Sequence, residues 1–184
     1  MELKRKSIRL PGYDYSSPGA YFVTVCTHER RCILSEIAVG AAISRPQDAG
    51  AAVRLTAYGE IVDLAILAIP AVYPRISIDK YVIMPNHVHL LLSIHCDDSG
   101  RILSAPTEDN EDSGRQIAAP TLGTVVGQMK RRASKQAGKP LWQKSFHEHV
   151  IRSEEDYRQI WEYIENNPAR WAEDRYYPEA SSRR

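Results

Sequence analysis

Residues 81–94 read Tyr81-Val82-Ile83-Met84-Pro85-Asn86-His87-Val88-His89-Leu90-Leu91-Leu92-Ser93-Ile94. Two apolar runs meet at Pro85-Asn86, and so short a connection predicts an antiparallel hairpin. Because side chains alternate across a strand, His87 and His89 share one face, and Val88, Leu90 and Leu92 share the other. The hairpin therefore predicts a sheet with one core-facing side and one side that presents two imidazoles.

Hydrophobic patterning around this hairpin predicts five further elements. β-Branched and aromatic side chains, or alternation, indicate strands, and apolar residues three or four apart indicate helices. The last helix has the clearest start, because Ser153 followed by Asp156 resembles a capping box. The five elements are a strand at residues 20–27, a helix from Thr56 that Pro70 is expected to end, a helix at 122–137 capped by Thr121 or Thr124, a strand at 146–152 and a helix from Ser153 to Asn167.

The element order predicts the fold class. Strand, helix, strand, strand, helix, strand indicates an α+β protein with a ferredoxin-like (RRM-like) β-α-β-β-α-β antiparallel sheet and an added C-terminal helix. The strand with the histidine pair is expected to be central, next to the first strand. A length of 184 residues with 43% hydrophobic content suits one domain over residues 1–184. Residues 1–19 are expected to form a basic arm and linker, and residues 38–53 and 96–120 loop insertions.

The basic residues are concentrated in two places, although the formal net charge is only +1. Local basic patches on a nearly neutral protein suit a polyanion that is held in one place. The candidates are Lys4, Arg5 and Lys6 in the arm, and Lys130, Arg131 and Lys135 in the second helix.

The chain has three cysteines, an odd number, and none of them has C-x-x-C spacing. This argues against a disulfide framework or a zinc knuckle. A reducing cytosol fits this usage better. No apolar run approaches the roughly 20 residues that span a bilayer, and the basic start of the chain is not followed by an apolar signal core. The chain is therefore expected to be cytoplasmic, without a membrane partner.

Two histidines on one sheet face form an incomplete metal site, which an amide or carboxylate oxygen from a helix end can complete. Such a site suits Mg²⁺ or Mn²⁺ if phosphate oxygens fill the open positions, whereas imidazole by itself favours Zn²⁺. The spacing leaves the metal open. A tyrosine beside the ion would be a candidate nucleophile towards a phosphodiester. On the last helix, Tyr163 and Asn167 lie four residues apart on one side.

Three motifs follow one another in a fixed order. They are Met84-Pro85-Asn86-His87-Val88-His89-Leu90-Leu91, then Trp142-Gln143 with Phe146-His147-Glu148-His149-Val150-Ile151-Arg152, then Tyr157 with Tyr163-Ile164 and Asn166-Asn167-Pro168. Together, from about Tyr21 to Trp171, they resemble the single-tyrosine HUH transposases, and most closely the REP-associated tyrosine transposases.

This resemblance implies a role for each matching residue. His87, His89 and Asn167 would hold Mg²⁺ or Mn²⁺, and Tyr163 would be the nucleophile that cuts single-stranded DNA to leave a 5′-phosphotyrosine and a free 3′-hydroxyl. His149 and Tyr157 would support the site. The basic side chains of the arm and second helix would hold the phosphates of a REP-type hairpin and its flanking strand, and the protein would associate with the nucleoid.

Two other functions stay open on the sequence. The same fold could bind hairpin DNA as a catalytically silent regulator, although the matching histidines, tyrosine and asparagine are all present. A zinc hydrolase would need a general base, and none is evident beside the histidine pair. The chain could act as a monomer or a homodimer, with Tyr163 meeting the histidines of its own subunit or of its partner.

Overall fold

The structure, a computed structural model, describes residues 12–37, 53–96 and 120–178. Lys4, Arg5 and Lys6 lie outside these ranges, as does most of the two expected insertions. The described elements are β1 (Gly19–Cys26), β2 (Ser35–Ile37), β3 (Val53–Leu55), α1 (Ala57–Leu67), α2 (Ile69–Val72), β4 (Ile76–Ile83), β5 (His87–Ile94), α3 (Leu122–Gln136), β6 (His147–Val150) and α4 (Glu154–Asn166), with single 3₁₀ segments at His28–Arg30 and Pro168–Glu173.

The main sheet has four antiparallel strands in the order β4-β5-β1-β6. The histidine-bearing strand β5 is therefore central and pairs with β1, as predicted. The order of helices and strands also confirms the α+β, β-α-β-β-α-β arrangement with an added helix, α4. Thr121 caps α3 and Ser153 caps α4, each through its side-chain oxygen.

The two faces of the sheet have different roles. Alternate residues of β1 and β5 form one core with α1 and α3, and each fully buried large apolar side chain contributes about 1.5–3 kcal/mol. Helix α4 contacts β4 and β5, and Tyr163 on α4 contacts His89 on the opposite face from that core. Core members include Val23, Val25, Val62, Ile66, Val88, Leu90, Leu92, Val125, Val126 and Met129.

Backbone hydrogen bonds hold the connection between β4 and β5 in place. The carbonyl of Pro85 accepts from the N–H groups of Ile33 and Leu34 at 2.9 and 3.0 Å, and the carbonyl of Asn86 accepts from Thr27 N at 2.9 Å. The Thr27 hydroxyl adds a bond to the Asn86 carbonyl at 3.0 Å. The first residue of β5, His87, therefore starts from a fixed backbone position.

The structure differs from the sequence expectation at two places. Pro70 does not end the helical segment: α1 already ends at Leu67, and Pro70 lies in the first turn of α2. Backbone N–H groups in a first turn make no hydrogen bond within the helix, so a proline, which lacks this group, is tolerated there. Val53 was expected to close a loop insertion, but it begins β3, which pairs with β2. Strands of three residues are too short to show a period of two.

No helix within the described ranges is both long and apolar enough to cross a bilayer.

Candidate active site

The site is centred on the two histidines at the start of β5. Their register on β1 places His87 opposite Cys26 and His89 opposite Thr24. The two Nε2 atoms lie 3.0 Å apart, and the side chains are almost fully buried, at 0% and 1% exposure. Two ring nitrogens thus converge on one point inside the protein.

The outer ring nitrogens are occupied by neighbouring side chains. His87 Nδ1 lies 2.9 Å from Asn86 Oδ1, and the Asn86 amide is oriented by its Nδ2, which donates to the Tyr176 carbonyl at 2.7 Å. Because Oδ1 can only accept, His87 Nδ1 carries the proton and its Nε2 presents a lone pair. His89 Nδ1 hydrogen-bonds with Thr24 Oγ1 at 2.9 Å. This is how metal-binding histidines are oriented, and the donor set fits a divalent cation.

Burial keeps both imidazoles neutral. It lowers the pKa of His87 to about 4, although the Asp174 carboxylate partly opposes this. Burial and the neighbouring His87 hold the pKa of His89 well below its ordinary value. Neutral imidazole is the form that binds metals, so both lone pairs are available near neutral pH.

Two oxygen-bearing side chains can complete the ligand set. In the described part of the chain, an Asp174 carboxylate oxygen lies within 4.8 Å of ligand atoms of both histidines. Its Oδ1 accepts from Tyr176 N at 2.6 Å, and its Oδ2 accepts from Asn167 Nδ2 at 3.3 Å. Asn167 Oδ1 is buried and has no hydrogen-bond partner among the residues that the structure describes. A buried, unpartnered amide oxygen is costly, and a cation would satisfy it.

Tyr163 on α4 lies directly beside the histidine pair. Its hydroxyl is 3.3 Å from His89 Nε2, and its ring centroid is 5.2 Å from that of His89. The residue remains 42% exposed, so its side chain can be reached from solvent. Burial is the main cause that raises the pKa of the Tyr163 phenol, and the negative charge of Asp174 is the second. The phenol therefore needs a nearby positive charge to ionise at neutral pH.

The segment after α4 closes over the histidines. The Trp171 and Tyr176 rings lie 5.9 and 4.7 Å from the His87 ring. Beside Tyr163, this segment and α4 enclose a cavity of about 560 Å³, whose lining includes Asn167, Arg170 and Arg175. The cavity is open to solvent, and its lining also includes the acidic side chains of Glu162, Glu173 and Asp174.

The structure does not bring every predicted residue to this site. Helix α3 lies on the core side of the sheet, so exposed Arg131 and Lys135 are on the far face from the histidines. Lys130 is half-buried, and its ammonium donates to the carbonyls of Gln143, Lys144 and Ser145 at 2.7–3.3 Å. It thereby holds the loop that leads into β6, and none of its three protons is left for a phosphate.

The two predicted supporting residues lie at the edge of the site. His149 Nε2 contacts the Asp156 carboxylate at 2.8 Å, which connects β6 to the first turn of α4. Tyr157 is half-buried. Its pKa is raised mainly by burial and to a smaller extent by the nearby Asp79 carboxylate. Both residues are placed to orient α4, and neither contacts the histidine pair.

Sequence reasoning missed three side chains of the site. Asn86 belongs to the first motif but was given a role only in the turn, and Thr24 was predicted only as part of a strand. Asp174 lies beyond Pro168, in a segment with no pattern that predicts where it folds. The available signals were the strand register, which sets Thr24 opposite His89, and an acidic residue shortly after the tyrosine helix.

Comparisons with known proteins place this geometry in context. No family model matches the chain. A solved REP-associated tyrosine transposase bound to a REP hairpin superposes with a TM-score of 0.54 at 21% identity, over 93% of this chain and 74% of that protein. The predicted likeness to the REP-associated tyrosine transposases is therefore confirmed at the level of the fold.

A sequence relative is closer. An uncharacterized protein of Haemophilus influenzae is 33% identical over 178 residues, which cover 94% of this chain and 93% of the relative. The chain belongs to the same family as this Haemophilus influenzae protein.

Proposed function

We propose that this chain is a metal-dependent single-stranded DNA endonuclease and strand transferase that acts on REP-type hairpins through a 5′-phosphotyrosine intermediate. The observation that carries the proposal is the 3.3 Å approach of the exposed Tyr163 hydroxyl to a buried pair of neutral imidazoles. The fold shared with a transposase that binds a REP hairpin supports the substrate class.

The metal would be held by His87 Nε2 and His89 Nε2, with oxygen from Asn167, Asp174 or both. A divalent ion there supplies positive charge to the scissile phosphate and lowers the pKa of a nearby phenol. Mixed nitrogen and oxygen ligands with positions left for phosphate oxygens favour Mg²⁺ or Mn²⁺. Asn86 and Thr24, which contact the two Nδ1 atoms, would orient both rings so that their Nε2 atoms could hold the ion.

Tyr163 would perform the chemical step. Its phenolic oxygen attacks phosphorus, the bond from phosphorus to the 3′-oxygen breaks, and the phenol proton leaves to solvent, which reaches the half-exposed ring. The departing 3′-oxygen takes up a proton and becomes a free hydroxyl. In reverse, a 3′-hydroxyl attacks the phosphotyrosine linkage and restores a DNA strand. One phosphodiester replaces another, so no external energy source is required.

A cleavage assay tests this function. The substrate is a labelled single-stranded oligonucleotide that contains a hairpin from the DNA flanking the gene, with an oligonucleotide of the same composition and no hairpin as control. The full chain should cut the hairpin substrate with Mg²⁺ or Mn²⁺, and EDTA should stop the reaction.

Variants separate catalysis from binding. Tyr163→Phe keeps the ring packing and removes the nucleophile, so cleavage should fall at least about a thousand-fold while hairpin binding persists. Equal cleavage by the variant would refute the role of Tyr163. Binding without any cleavage by the unmodified chain would instead identify a hairpin-binding regulator. Activity with Zn²⁺ and none with Mg²⁺ or Mn²⁺ would indicate a hydrolase.

A further inference from the structure

Two arginines flank the cover of the histidine pair. The guanidinium carbon of Arg30 lies 5.1 Å from the centre of the Tyr176 ring, and that of Arg175 lies 4.5 Å from the same ring. We propose that Arg30 and Arg175 form a phosphate-binding pair that holds the DNA backbone beside the Tyr163 site. This inference rests on the proposed function and names the residues that position its substrate.

The backbone at Arg30 adopts a sparsely populated conformation. Glu29 and Arg30 are consecutive non-glycine residues with φ of 54°, in the left-handed region. Each such residue costs on the order of 1 kcal/mol and persists where the surroundings enforce it. Arg30 N donates to the Thr27 carbonyl at 3.1 Å, and His28 N donates to the Leu141 carbonyl at 2.8 Å. The turn is thus held in a form that directs Arg30 towards Tyr176.

Neither guanidinium has a carboxylate partner within the described ranges. In the described part of the chain no acidic oxygen lies within ion-pair distance of Arg30 or Arg175, although Arg175 also donates to the Tyr176 hydroxyl. The adjacent Arg31 is different, because it is paired with Glu29. Two exposed guanidiniums without an ion-pair partner among the described residues can attract an anion, although Glu162, Glu173 and Asp174 line the same cavity as Arg175.

The chemistry of the pair favours phosphate over a nucleobase. Tyr176 is only 4% exposed, so its ring offers no surface on which a base could stack. Guanidinium groups match the oxygens of a phosphate through two parallel hydrogen bonds. The Tyr176 ring that both guanidiniums approach lies 4.7 Å from the His87 ring, and Arg175 lines the same cavity as Tyr163. A phosphate held by the pair is therefore next to the metal ligands and Tyr163.

Salt-dependent binding tests the pair. Affinity for the hairpin oligonucleotide is measured by fluorescence anisotropy with EDTA present, between 50 and 300 mM KCl, for the full chain and for Arg30→Gln, Arg175→Gln and the double variant. Each single variant should bind roughly ten-fold more weakly. The slope of log affinity against log salt should become shallower by about 0.7 for each lost contact.

Further variants separate charge from structure. Arg30→Lys keeps the charge and loses the paired hydrogen bonds, so it should keep the slope and lose only part of the affinity. Arg158→Gln is the matched control, since Arg158 is an exposed arginine paired with Glu155, and its slope should not change.

The outcomes are distinguishable. If the full chain binds DNA and the double variant binds with the same affinity and slope, the phosphate pair is refuted and the proposed function stands. If a glutamine variant has a lower melting temperature, the affinity of Arg30→Lys decides whether Arg30 contacts a phosphate. Weaker binding by Arg30→Lys with an unchanged salt slope supports the contact, and unchanged affinity refutes it. If the full chain shows no salt-dependent binding to the hairpin, the proposed function fails together with this inference.

Discussion

The Tyr163 hydroxyl lies 3.3 Å from Nε2 of His89, although 74 residues separate the two in the chain. The central strand β5 supplies the histidine and the added helix α4 supplies the tyrosine. Within this one chain the proposed nucleophile and the paired imidazoles already meet. The proposed catalytic cycle therefore does not need a second subunit to supply Tyr163.

Asn86→Ala should weaken Mn²⁺ binding by 10- to 100-fold, because the loss of the Asn86 amide frees the His87 ring to rotate and to change tautomer. Isothermal titration calorimetry of the metal-free chain with Mn²⁺ measures this. Ser77→Ala is a suitable control, since its hydroxyl pairs with Asp79 on β4 and with His95, away from the histidine pair. An unchanged Mn²⁺ affinity for Asn86→Ala would contradict the assigned orientation of His87.

Asp174→Asn and Asn167→Ala distinguish the two candidates for the third ligand. If the carboxylate binds the metal, Asp174→Asn should reduce Mn²⁺ affinity at least ten-fold, since it removes a negative charge from the site. If the amide oxygen binds it, Asn167→Ala should have the larger effect. Calorimetric titrations of both variants decide the order. No loss in either variant would mean that the protein contributes only the two imidazoles.

The metal-free protein should become less stable as the pH falls from about 6.5 to about 4. The folded state holds the pKa of His87 at about 4, against an ordinary value of 6.5. In that window the unfolded chain binds a proton that the folded chain excludes, so the free energy of unfolding decreases with decreasing pH; above the window the effect is constant.

Urea unfolding at several pH values measures this effect, with His87→Gln as the comparison. The variant lacks the titrating group and should lose less stability between pH 6.5 and pH 4. The same pH dependence in both proteins would show that His87 is not held neutral by burial.

Gly59→Ala should destabilise the fold severely, because a Cβ at this position would lie 2.0 Å from the Leu34 carbonyl oxygen. Gly127→Ala is the matched control, since its Cβ would meet only the end of Arg131, at 3.6 Å. Alanine favours a helix interior by roughly 0.5–1 kcal/mol over glycine, so this variant should melt at a slightly higher temperature. Thermal unfolding measures both, and equal melting temperatures would contradict the close approach of α1 to residue 34.

Much of the fold could be predicted because its signals are local. Ser153 and Thr121 cap their helices with their own side chains, and the alternation along β5 predicts which of its residues share a face with the two histidines. The short strands β2 and β3 could not be predicted, since three residues carry no clear period and their pairing joins segments that are distant in sequence.

Only those residues of the candidate site that lie within the recognised motifs could be predicted from the sequence. His87, His89 and Tyr163 belong to such motifs, whereas Asp174 reaches the histidines because the chain turns back after Pro168. Nothing in the composition of residues 168–178 encodes that turn. Helix α3 is the opposite case. Its basic residues were predicted to contact DNA, but the helix packs on the face of the sheet that lies away from the histidine pair.

Mass spectrometry of a trapped covalent complex tests the central claim most directly. The full chain is incubated with the hairpin oligonucleotide and Mn²⁺, denatured and digested, and the peptides are searched for a 5′-phosphonucleotide adduct. We expect the adduct on Tyr163, its absence in EDTA and its absence in Tyr163→Phe. Cleavage products without any protein adduct, or an adduct on another tyrosine, would contradict the account.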